Sequence, residues 1–548
     1  MLRPILLASL LALATYLYLK LRHKRFNQYA SLPQLPSSLL LGHLKTIDDY
    51  ARRGEADRHP DMALADMHQD LGRPPLMFVD LRPLNHPIVV ITNHEIAEQV
   101  SKASILFPTS VPKSSFKYLE HLIGPTSILR WHGDDWKMLR KRFSPGFAPQ
   151  HLNTLLPYIL AKTLPFISHL DRFARTQEEF PLVPFIVNLT VDIIGSVAMD
   201  VDLEAQHLDS SKQGELVRVY SELLMTYNDD KADYPWWFAP ITEIKRRRLA
   251  KQIDTLIKAI IHRKFAERRE DLASSDKSRS ILALSLGDTE SLTPELVDVT
   301  CDQLKTFFFA GHDTTSVTLA WVFYELSLSP STLAAVRDEL DSLLGTDASP
   351  DAIHARLLSP DGAALVQQMT YISAVIKETL RLHPPAATGR LTQPGTGFTV
   401  RTSEGQEYCL DGMILYNCPA IIHRDPSVYG DSADRFVPER WLGESEGSGI
   451  PASAWRPFER GPRNCIGQEF ALIEARIIIA YVARRYDFTK VGLGEVSRDG
   501  SGRLMKDPNG DYQIKSPLYN TRQVTAKPVD GMRVKVKLAA KVNKHYTT

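Results

Sequence analysis

The chain has 548 residues, 43% of them hydrophobic, and a formal net charge of +1. This composition is ordinary for a globular protein with a sizeable core, and the near-zero charge argues against nucleic acid as a partner. The four cysteines, Cys301, Cys409, Cys418 and Cys465, are too few and too scattered for a disulfide framework or a C-x-x-C zinc site. Reducing surroundings, such as the cytosolic side of a membrane, fit this use of cysteine.

An apolar stretch opens the chain. Residues 4–19 carry no charge, and the basic residues around them lie mostly on the C-terminal side. A cleaved signal peptide would have its basic residues first and a small-residue cleavage site afterwards, and this chain has neither arrangement. We therefore predict a retained transmembrane anchor over residues 1–20. By the positive-inside rule, the bulk of the chain then lies in the cytosol.

A stiff linker is predicted after the anchor. Residues 21–45 combine basic side chains with the run Ser31–Ser38, whose two prolines break helix and restrict the backbone. Further on, β-branched runs predict strands at Pro87–Thr92, Phe398–Arg401 and Arg533–Leu538. Long helical patterns separate these pieces, so helix should dominate the fold.

Potential ligand-binding side chains share one predicted helix. Trp136 and Arg140 place an indole N–H donor and a guanidinium one turn apart on the same face. His132 lies one turn earlier. The alternative interpretation is that Trp136 belongs to the core and Arg140 to the surface.

The longest helical pattern begins at Thr293, a capping residue followed by proline at the first helical position. It ends before Pro330 after about 36 residues, or ~54 Å, which is long for a globular helix. Such a length predicts a helix that crosses the whole body.

The middle of this helix carries the polar string Ala310-Gly-His-Asp-Thr-Thr315. Gly311 weakens the helix, and neighbouring hydroxyls can divert its hydrogen bonds, which predicts a kink or widened turn with room for a small ligand. An acid beside an alcohol, Asp313 and Thr314, can relay protons. A polar cluster that faces solvent is the alternative.

An ion pair is predicted in the next apolar helix. Glu378 and Arg381 stand one turn apart, shortly before a double proline. A surface pair of this kind contributes little, whereas a buried pair needs further partners. Arg440, in Phe436-Val-Pro-Glu-Arg-Trp441, is a candidate third member. We expect a structural role for the three residues.

Cys465 lies on a Gly/Pro/Arg-rich loop that runs into an apolar helix. A thiol there meets unpaired N–H groups and the positive end of the helix dipole, and both favour the thiolate. A thiolate can hold haem iron. Gly461 and Gly467 let backbone approach a flat ligand, Arg463 suits a propionate, and Phe458 can cover the sulfur. A structural cysteine in a glycine turn is the plainer interpretation of a lone cysteine.

The spacing Phe-x-x-Gly-x-Arg-x-Cys-x-Gly resembles the haem-binding loop of cytochrome P450 monooxygenases, and the three preceding motifs resemble that family's motifs in the expected order. The resemblance covers about residues 136–536. It implies a mainly α fold with small β-sheets, with 46–548 as a single large catalytic domain. It implies haem b with Cys465 as the axial ligand and a haem-binding role for Phe458, Arg463, Gly467, Trp136, Arg140, His132 and, more weakly, Arg390. It also implies that Asp313 and Thr314 are catalytic, and that Glu378, Arg381 and Arg440 lock the core.

The resemblance further implies a single-pass protein of the endoplasmic-reticulum membrane with its catalytic domain on the cytosolic side. Electrons would come from NADPH through a flavin reductase. A basic patch is formed by Lys137, Arg140, Lys141 and Arg142, and it would suit an acidic flavoprotein partner if it shares a face with Arg456 and Arg460; a merely solvated face is the alternative. With dioxygen, the enzyme would hydroxylate, epoxidise or desaturate an apolar small molecule. The string Ala-Gly-His-Asp-Thr-Thr-Ser resembles fungal members that make secondary metabolites.

Other functions stay open on the sequence. An isomerase or dehydratase of the same family rearranges a peroxide without dioxygen or reductase, although such members usually depart from the acid–alcohol pair found here. A fatty-acid or xenobiotic hydroxylase would keep every motif. A non-catalytic haem protein would need neither the relay nor a substrate cavity.

Overall fold

The computed structural model describes residues 2–114, 116–227, 239–270, 279–287, 289–443, 449–521 and 523–540. Helices dominate these residues, so the predicted mainly α fold with small sheets is confirmed. The α-helices, numbered in chain order, are α1 Leu2–Arg22, α2 Leu44–Ala51, α3 Pro60–Asp70, α4 His94–Ser101, α5 Glu120–Ile123, α6 Gly133–Phe143, α7 Pro149–Thr154, α8 Leu156–Thr176, α9 Leu182–Ile194, α10 Glu215–Met225, α11 Pro240–Glu270, α12 Ile281–Ser285, α13 Pro294–Leu328, α14 Pro330–Leu344, α15 Pro350–Leu358, α16 Gly362–Gln368, α17 Thr370–Leu382, α18 Pro419–Ile422, α19 Pro426–Tyr429 and α20 Gln468–Arg485. The strands are β1 Leu76–Val79, β2 Ile88–Ile91, β3 Phe180–Pro181, β4 Thr388–Leu391, β5 Thr399–Arg401, β6 Glu407–Cys409, β7 Ile414–Asn417, β8 Tyr486–Lys490, β9 Asn520–Thr521, β10 Lys527–Pro528 and β11 Arg533–Leu538.

The chain divides into two compact units, each built from three segments. The first unit comprises Met1–Ser115, Ala387–Ala433 and Ile450–Asn464, and the second comprises Phe116–Ala386, Asp434–Gly449 and Cys465–Thr548. The boundary between Asn464 and Cys465 falls inside the predicted haem-binding loop.

The first unit is organised around a mixed four-stranded sheet of order β1-β2-β7-β4, in which β2 pairs antiparallel with β1 and parallel with β7. Successive strand residues point to opposite faces. Leu76 and Phe78 accordingly join one buried cluster, and Met77 and Val79 join another. The sheet thus has an apolar layer on each face. The strands predicted at 87–92 and 398–401 are present as β2 and β5.

The linker after α1 is fixed to this unit by a buried ion pair. The Arg25 guanidinium lies 2.7 Å from the Asp80 carboxylate, and both side chains are at most 3% exposed. Arg25 also donates to the backbone carbonyls of Leu39 and Leu40. Gly42 is required beside it, because its φ is +56° and a Cβ there would lie 2.8 Å from the guanidinium.

Two described helices are long and apolar enough to span a membrane. The apolar 18-residue window of the N-terminal one, Arg3–Asn27, has no buried residue, whereas 78% of Leu182–Met199 is buried inside the second unit. The latter is a core helix, since its apolar surface already faces protein. The N-terminal helix is the candidate membrane anchor.

The central element of the second unit is α13, which spans 35 residues. The Thr293 hydroxyl accepts a hydrogen bond from the Leu296 N–H, so the predicted cap is formed, and Ser329 ends the helix before Pro330. From Thr300 to Tyr324 nearly every side chain is buried, as expected of a helix surrounded by others. The small sheets β3-β11-β8 and β9-β10 complete the unit, and β11 coincides with the predicted strand Arg533–Leu538.

Candidate functional site

Cys465 lies two residues before Gly467, the residue that caps α20. Its side chain is exposed, in contrast to the buried Cys301 of the same unit. The Arg140 guanidinium is close enough to interact electrostatically with the Cys465 sulfur. Burial lowers the pKa of Arg140, and the sulfur partly offsets this effect. A cation and a helix start beside an accessible thiol are the conditions that favour a thiolate ligand.

Arg140 belongs to α6, whose acidic first turn and basic last turn complement the helix dipole. Trp136 is 6% exposed, Arg140 is half-buried and His132 is an exposed residue at the N-cap. Trp136 and Arg140 lie one turn apart in α6, and His132 lies just before the first residue of the helix. The same unit thus holds the thiol, the guanidinium and an indole N–H that could receive an acidic cofactor.

Arg390, in the first unit, is the other arginine predicted to bind a carboxylate of the cofactor. Its side chain is 0% exposed, and one guanidinium nitrogen donates to the Ser110 hydroxyl at 3.0 Å and to the Val111 carbonyl. The Nε and Nη2 groups have no hydrogen-bond partner among the described residues. Burial lowers the pKa of Arg390, with the charge of Glu459 acting against that effect. Buried guanidinium donors of this kind suit a carboxylate-bearing ligand such as haem.

Two other loop residues predicted to bind haem, Arg463 and Phe458, lie in the first unit, whereas Gly467 lies in the second. Arg463 is 4% exposed, and Phe458 is half-buried with its ring edge against Trp455. Gly461 has a φ of +74°, and a Cβ there would lie 2.1 Å from the Ser101 carbonyl oxygen. This glycine is therefore required by the protein's own backbone.

The accessible residues in the middle of α13 belong to the polar string Ala310–Thr315. Ala310 is exposed and Gly311 and Thr314 are half-buried, within a helix that is otherwise buried around them. The Thr314 hydroxyl donates to the Ala310 carbonyl at 2.9 Å. The predicted widened turn is wrong, because α13 stays α-helical throughout. Space for a small ligand comes instead from the small side chains of this stretch. Gly311 also allows close packing of Ile194 from α9, because a Cβ at position 311 would lie only 2.9 Å from the Ile194 side chain.

Asp313 points elsewhere and is fully buried. Its carboxylate accepts a hydrogen bond from the Thr525 hydroxyl at 2.6 Å and forms an ion pair with the Lys527 ammonium at 2.6 Å. Burial alone would raise the pKa of Asp313, but Lys527, His312 and the hydrogen bonds together hold it below its ordinary value. Neither Thr525 nor Lys527 was identified from the sequence, because no local pattern connects them to Asp313.

The phenylalanines before the motif are mostly core residues. Phe307 packs edge-on against Phe143 and Phe147 at 5.2 and 5.1 Å, and Phe308 packs against Tyr220 at 4.6 Å. Only limited aromatic surface from this run is therefore left to line a ligand site.

The predicted structural cluster is assembled within the second unit. Glu378 and Arg381 are both 0% exposed, and Arg381 donates to the two carboxylate oxygens at 2.7 and 2.9 Å. Arg440 joins them at 3.0 Å, as predicted. Sequence reasoning did not anticipate the Trp441 indole N–H or the Val437 amide, which each donate to Glu378 at 2.9 Å.

The predicted basic docking patch needs correction. The side chain of Arg456 is 1% exposed and is used inside the first unit, where it pairs with Glu459 at 3.0 Å and Glu98 at 3.4 Å. Arg142 is half-buried and donates to the Ser285 carbonyl. The guanidinium groups of Arg456 and Arg142 are therefore not exposed for binding a partner, whereas Lys137 and Lys141 are exposed.

Comparison with known proteins identifies the family of the chain. The model of the cytochrome P450 family matches residues 33–513. The chain is 31% identical to cytochrome P450 monooxygenase acrF of Aspergillus aculeatus over 499 residues, 87% of this chain and 97% of that protein. It is 27% identical to cytochrome P450 monooxygenase polC of Polytolypa hystricis, covering 87% of this chain and 85% of that protein. It is 28% identical to cytochrome P450 4V2 of Mus musculus, covering 78% and 80% respectively.

The chain therefore belongs to the cytochrome P450 family. It is a monooxygenase of that family, an oxidoreductase whose cofactor is haem iron with a thiolate ligand. Membership implies dioxygen, an apolar substrate and a redox partner in general terms.

Proposed function

We propose that this enzyme uses dioxygen and electrons from an NADPH-dependent flavin reductase to hydroxylate, epoxidise or desaturate an apolar small molecule. The observation that carries the proposal is the exposed Cys465 thiol beside the Arg140 cation, at the start of α20. Haem bound there supplies the centre at which dioxygen is activated. The acid–alcohol pair Asp313–Thr314 favours this chemistry over peroxide rearrangement, which needs no proton relay.

The protein's own groups then have separate tasks. Cys465 would hold the iron, and Trp136, Arg140 and His132 would donate hydrogen bonds to the carboxylates of the cofactor. Thr314 holds a proton at its hydroxyl oxygen on the accessible face of α13. Glu378, Arg381 and Arg440 keep the surrounding helices in place. Arg463, Phe458 and Gly467 are assigned to haem binding from the Cys465 loop motif, and Arg390 from its buried guanidinium.

The substrate is proposed to be a fungal secondary metabolite. Support comes from the motif string around Asp313 and from two similar monooxygenases of fungal origin. The exposed apolar part of the N-terminal helix supports a single-pass anchor in the endoplasmic-reticulum membrane, with residues 46–548 as the catalytic domain in the cytosol. Residues 21–45 would then join the two parts, with Arg25 fixing the end of that linker.

The test uses the full-length chain in membranes that contain its reductase. Reduced protein with carbon monoxide should show the absorbance typical of thiolate-ligated haem, and Cys465→Ala should abolish it. Cys409→Ala is the matched control, because it removes another exposed thiol and should leave the spectrum unchanged.

Extracts of fungal cultures with and without the chain then provide candidate substrates. Product formation that requires both NADPH and dioxygen supports the proposal. Turnover of a hydroperoxide without NADPH would replace it with the isomerase function. A Cys465→Ala protein that keeps the thiolate spectrum would refute the assignment of the ligand.

A further inference from the structure

Glu459, in the loop that leads to Cys465, is a charged residue at a position that favours glycine. Its φ is +55°, a left-handed backbone conformation that glycine adopts without strain and a residue with a Cβ does not. Its side chain is only 14% exposed. Backbone strain and burial of a carboxylate both oppose folding, so the glutamate is expected to do something that glycine could not do.

The Glu459 carboxylate connects three segments of the first unit. One oxygen accepts a hydrogen bond at 2.9 Å from the side-chain amide of Asn417, at the end of β7. The other oxygen accepts from the Ser101 hydroxyl, at the end of α4, and from the Arg456 guanidinium, both at 3.0 Å. Both oxygens are therefore held by the fold, and the negative charge has a fixed place within the unit.

Arg390 lies on the same face of the sheet as Asn417. β4 and β7 pair with Thr388 opposite Asn417, and Arg390 follows Thr388 by two residues, so its side chain points to the same face. Arg390 and Glu459 are close enough that the charge of each shifts the pKa of the other. The Glu459 carboxylate thus interacts with two buried guanidinium groups, those of Arg390 and Arg456.

The charges of these three residues depend on one another. Burial raises the pKa of Glu459, but the charge of Arg456 and the hydrogen bonds to the carboxylate together hold the pKa below its ordinary value. Burial lowers the pKa of Arg390, the charge of Glu459 opposes that effect, and the charge of Arg456 adds to it. Two cations and one anion leave one positive charge, which suits a carboxylate of haem at the free guanidinium nitrogens of Arg390.

We propose that Glu459 is a positioning residue for the cofactor, a fixed counter-charge beside Arg390 that lowers the reduction potential of the haem iron. The oxidised iron carries one more positive charge than the reduced iron, so a nearby anion stabilises the oxidised form. The inference rests on the proposed binding of a haem carboxylate at Arg390, and it needs no assumption about the substrate.

The size of the effect follows from the length of the loop. Glu459 and the predicted ligand Cys465 are six residues apart, which is at most ~20 Å of chain. A unit charge at ~20 Å, with an effective dielectric constant of about 20, changes the ratio of reduced to oxidised protein about fourfold. For a one-electron couple this is a shift of ~35 mV, because a tenfold change corresponds to about 59 mV.

The test is a reductive titration of the full-length haem-loaded protein with dithionite and redox mediators, followed by the absorbance of the haem. Glu459→Gln removes the charge and keeps an oxygen that can accept hydrogen bonds. We expect its ratio of reduced to oxidised protein at a fixed potential to be about fourfold higher than in the wild type. Glu459→Asp keeps the charge and should shift the ratio by less than half as much on the potential scale.

Two further variants separate charge from structure. Ser101→Ala removes one hydrogen bond to the carboxylate but no charge, so the reduction potential should stay at the wild-type value. Glu407→Gln removes a carboxylate of the same unit that is 54% exposed, and it should also leave the potential unchanged. Glu459→Gly removes both the charge and the backbone strain, so it decides the question if Glu459→Gln fails to accumulate.

A purely structural role for Glu459 predicts a loss of stability in Glu459→Gln with no change in potential. If Glu459→Gln and Glu459→Gly both keep the wild-type potential while they keep the thiolate-type carbon monoxide spectrum, the inference is wrong. A shift of equal size in Ser101→Ala would also overturn it, because that variant keeps the charge. Absence of the thiolate-type spectrum from the wild type would instead refute the proposed haem ligand, which is a different result from an unchanged potential.

Discussion

Replacing Glu378 by alanine should be among the most damaging single changes to the second unit. The glutamate is 0% exposed, and its two oxygens accept at least five hydrogen bonds from Arg381, Arg440, Trp441 and the Val437 amide. Glu378→Ala leaves the Arg381 guanidinium, also 0% exposed, without its carboxylate. Breaking a buried pair in this way costs about 3–5 kcal/mol, because the remaining charge stays desolvated.

That loss is a large share of the total, since folded domains are stable by only about 5–15 kcal/mol. Thermal or denaturant unfolding of the haem-loaded protein measures the loss. Glu407→Ala is the matched control, because its partner is also an arginine, Arg401, but the two side chains are 54% and 67% exposed. That change should cost at most about 1 kcal/mol. Equal losses in the two variants would show that burial does not make the Glu378 cluster important.

Three further predictions follow from local geometry. Gly510→Ala should destabilise the protein by roughly 1–2 kcal/mol, because the residue has a positive φ. Gly461→Ala should cost more, because Gly461 also has a positive φ and its added Cβ would meet the backbone. The unfolding midpoints of the two variants test this difference. Thr314→Val should reduce product formed per NADPH by about 100-fold with an unchanged carbon monoxide spectrum, and Thr314→Ser should keep most of it; equal coupling in the valine and serine variants would contradict a proton-holding hydroxyl. Arg25→Ala should cost about 1–3 kcal/mol and speed proteolysis after α1, since Asp80 retains only Arg82; an unchanged cleavage rate would contradict a fixed linker.

Local signals predicted the elements that depend on neighbouring residues. Thr293, Pro294 and Pro330 mark the ends of α13, because capping and the missing proline N–H act within one turn. The pairing of Glu378 with Arg381 is likewise a one-turn relation, and the Cys465 motif is a fixed spacing within a single loop. The sequence by itself was therefore sufficient for the helical fold, the class of enzyme and the candidate ligand.

Tertiary structure decided the relations between distant segments. Gly311 suggested a widened turn because glycine weakens an isolated helix, but its neighbour Ile194 uses the missing side chain for close packing and α13 stays regular. Thr525 meets Asp313 from 212 positions away, and no periodicity or spacing connects them. Whether a charged side chain is buried and paired depends on which segments fold against it, and only the folded chain contains that information.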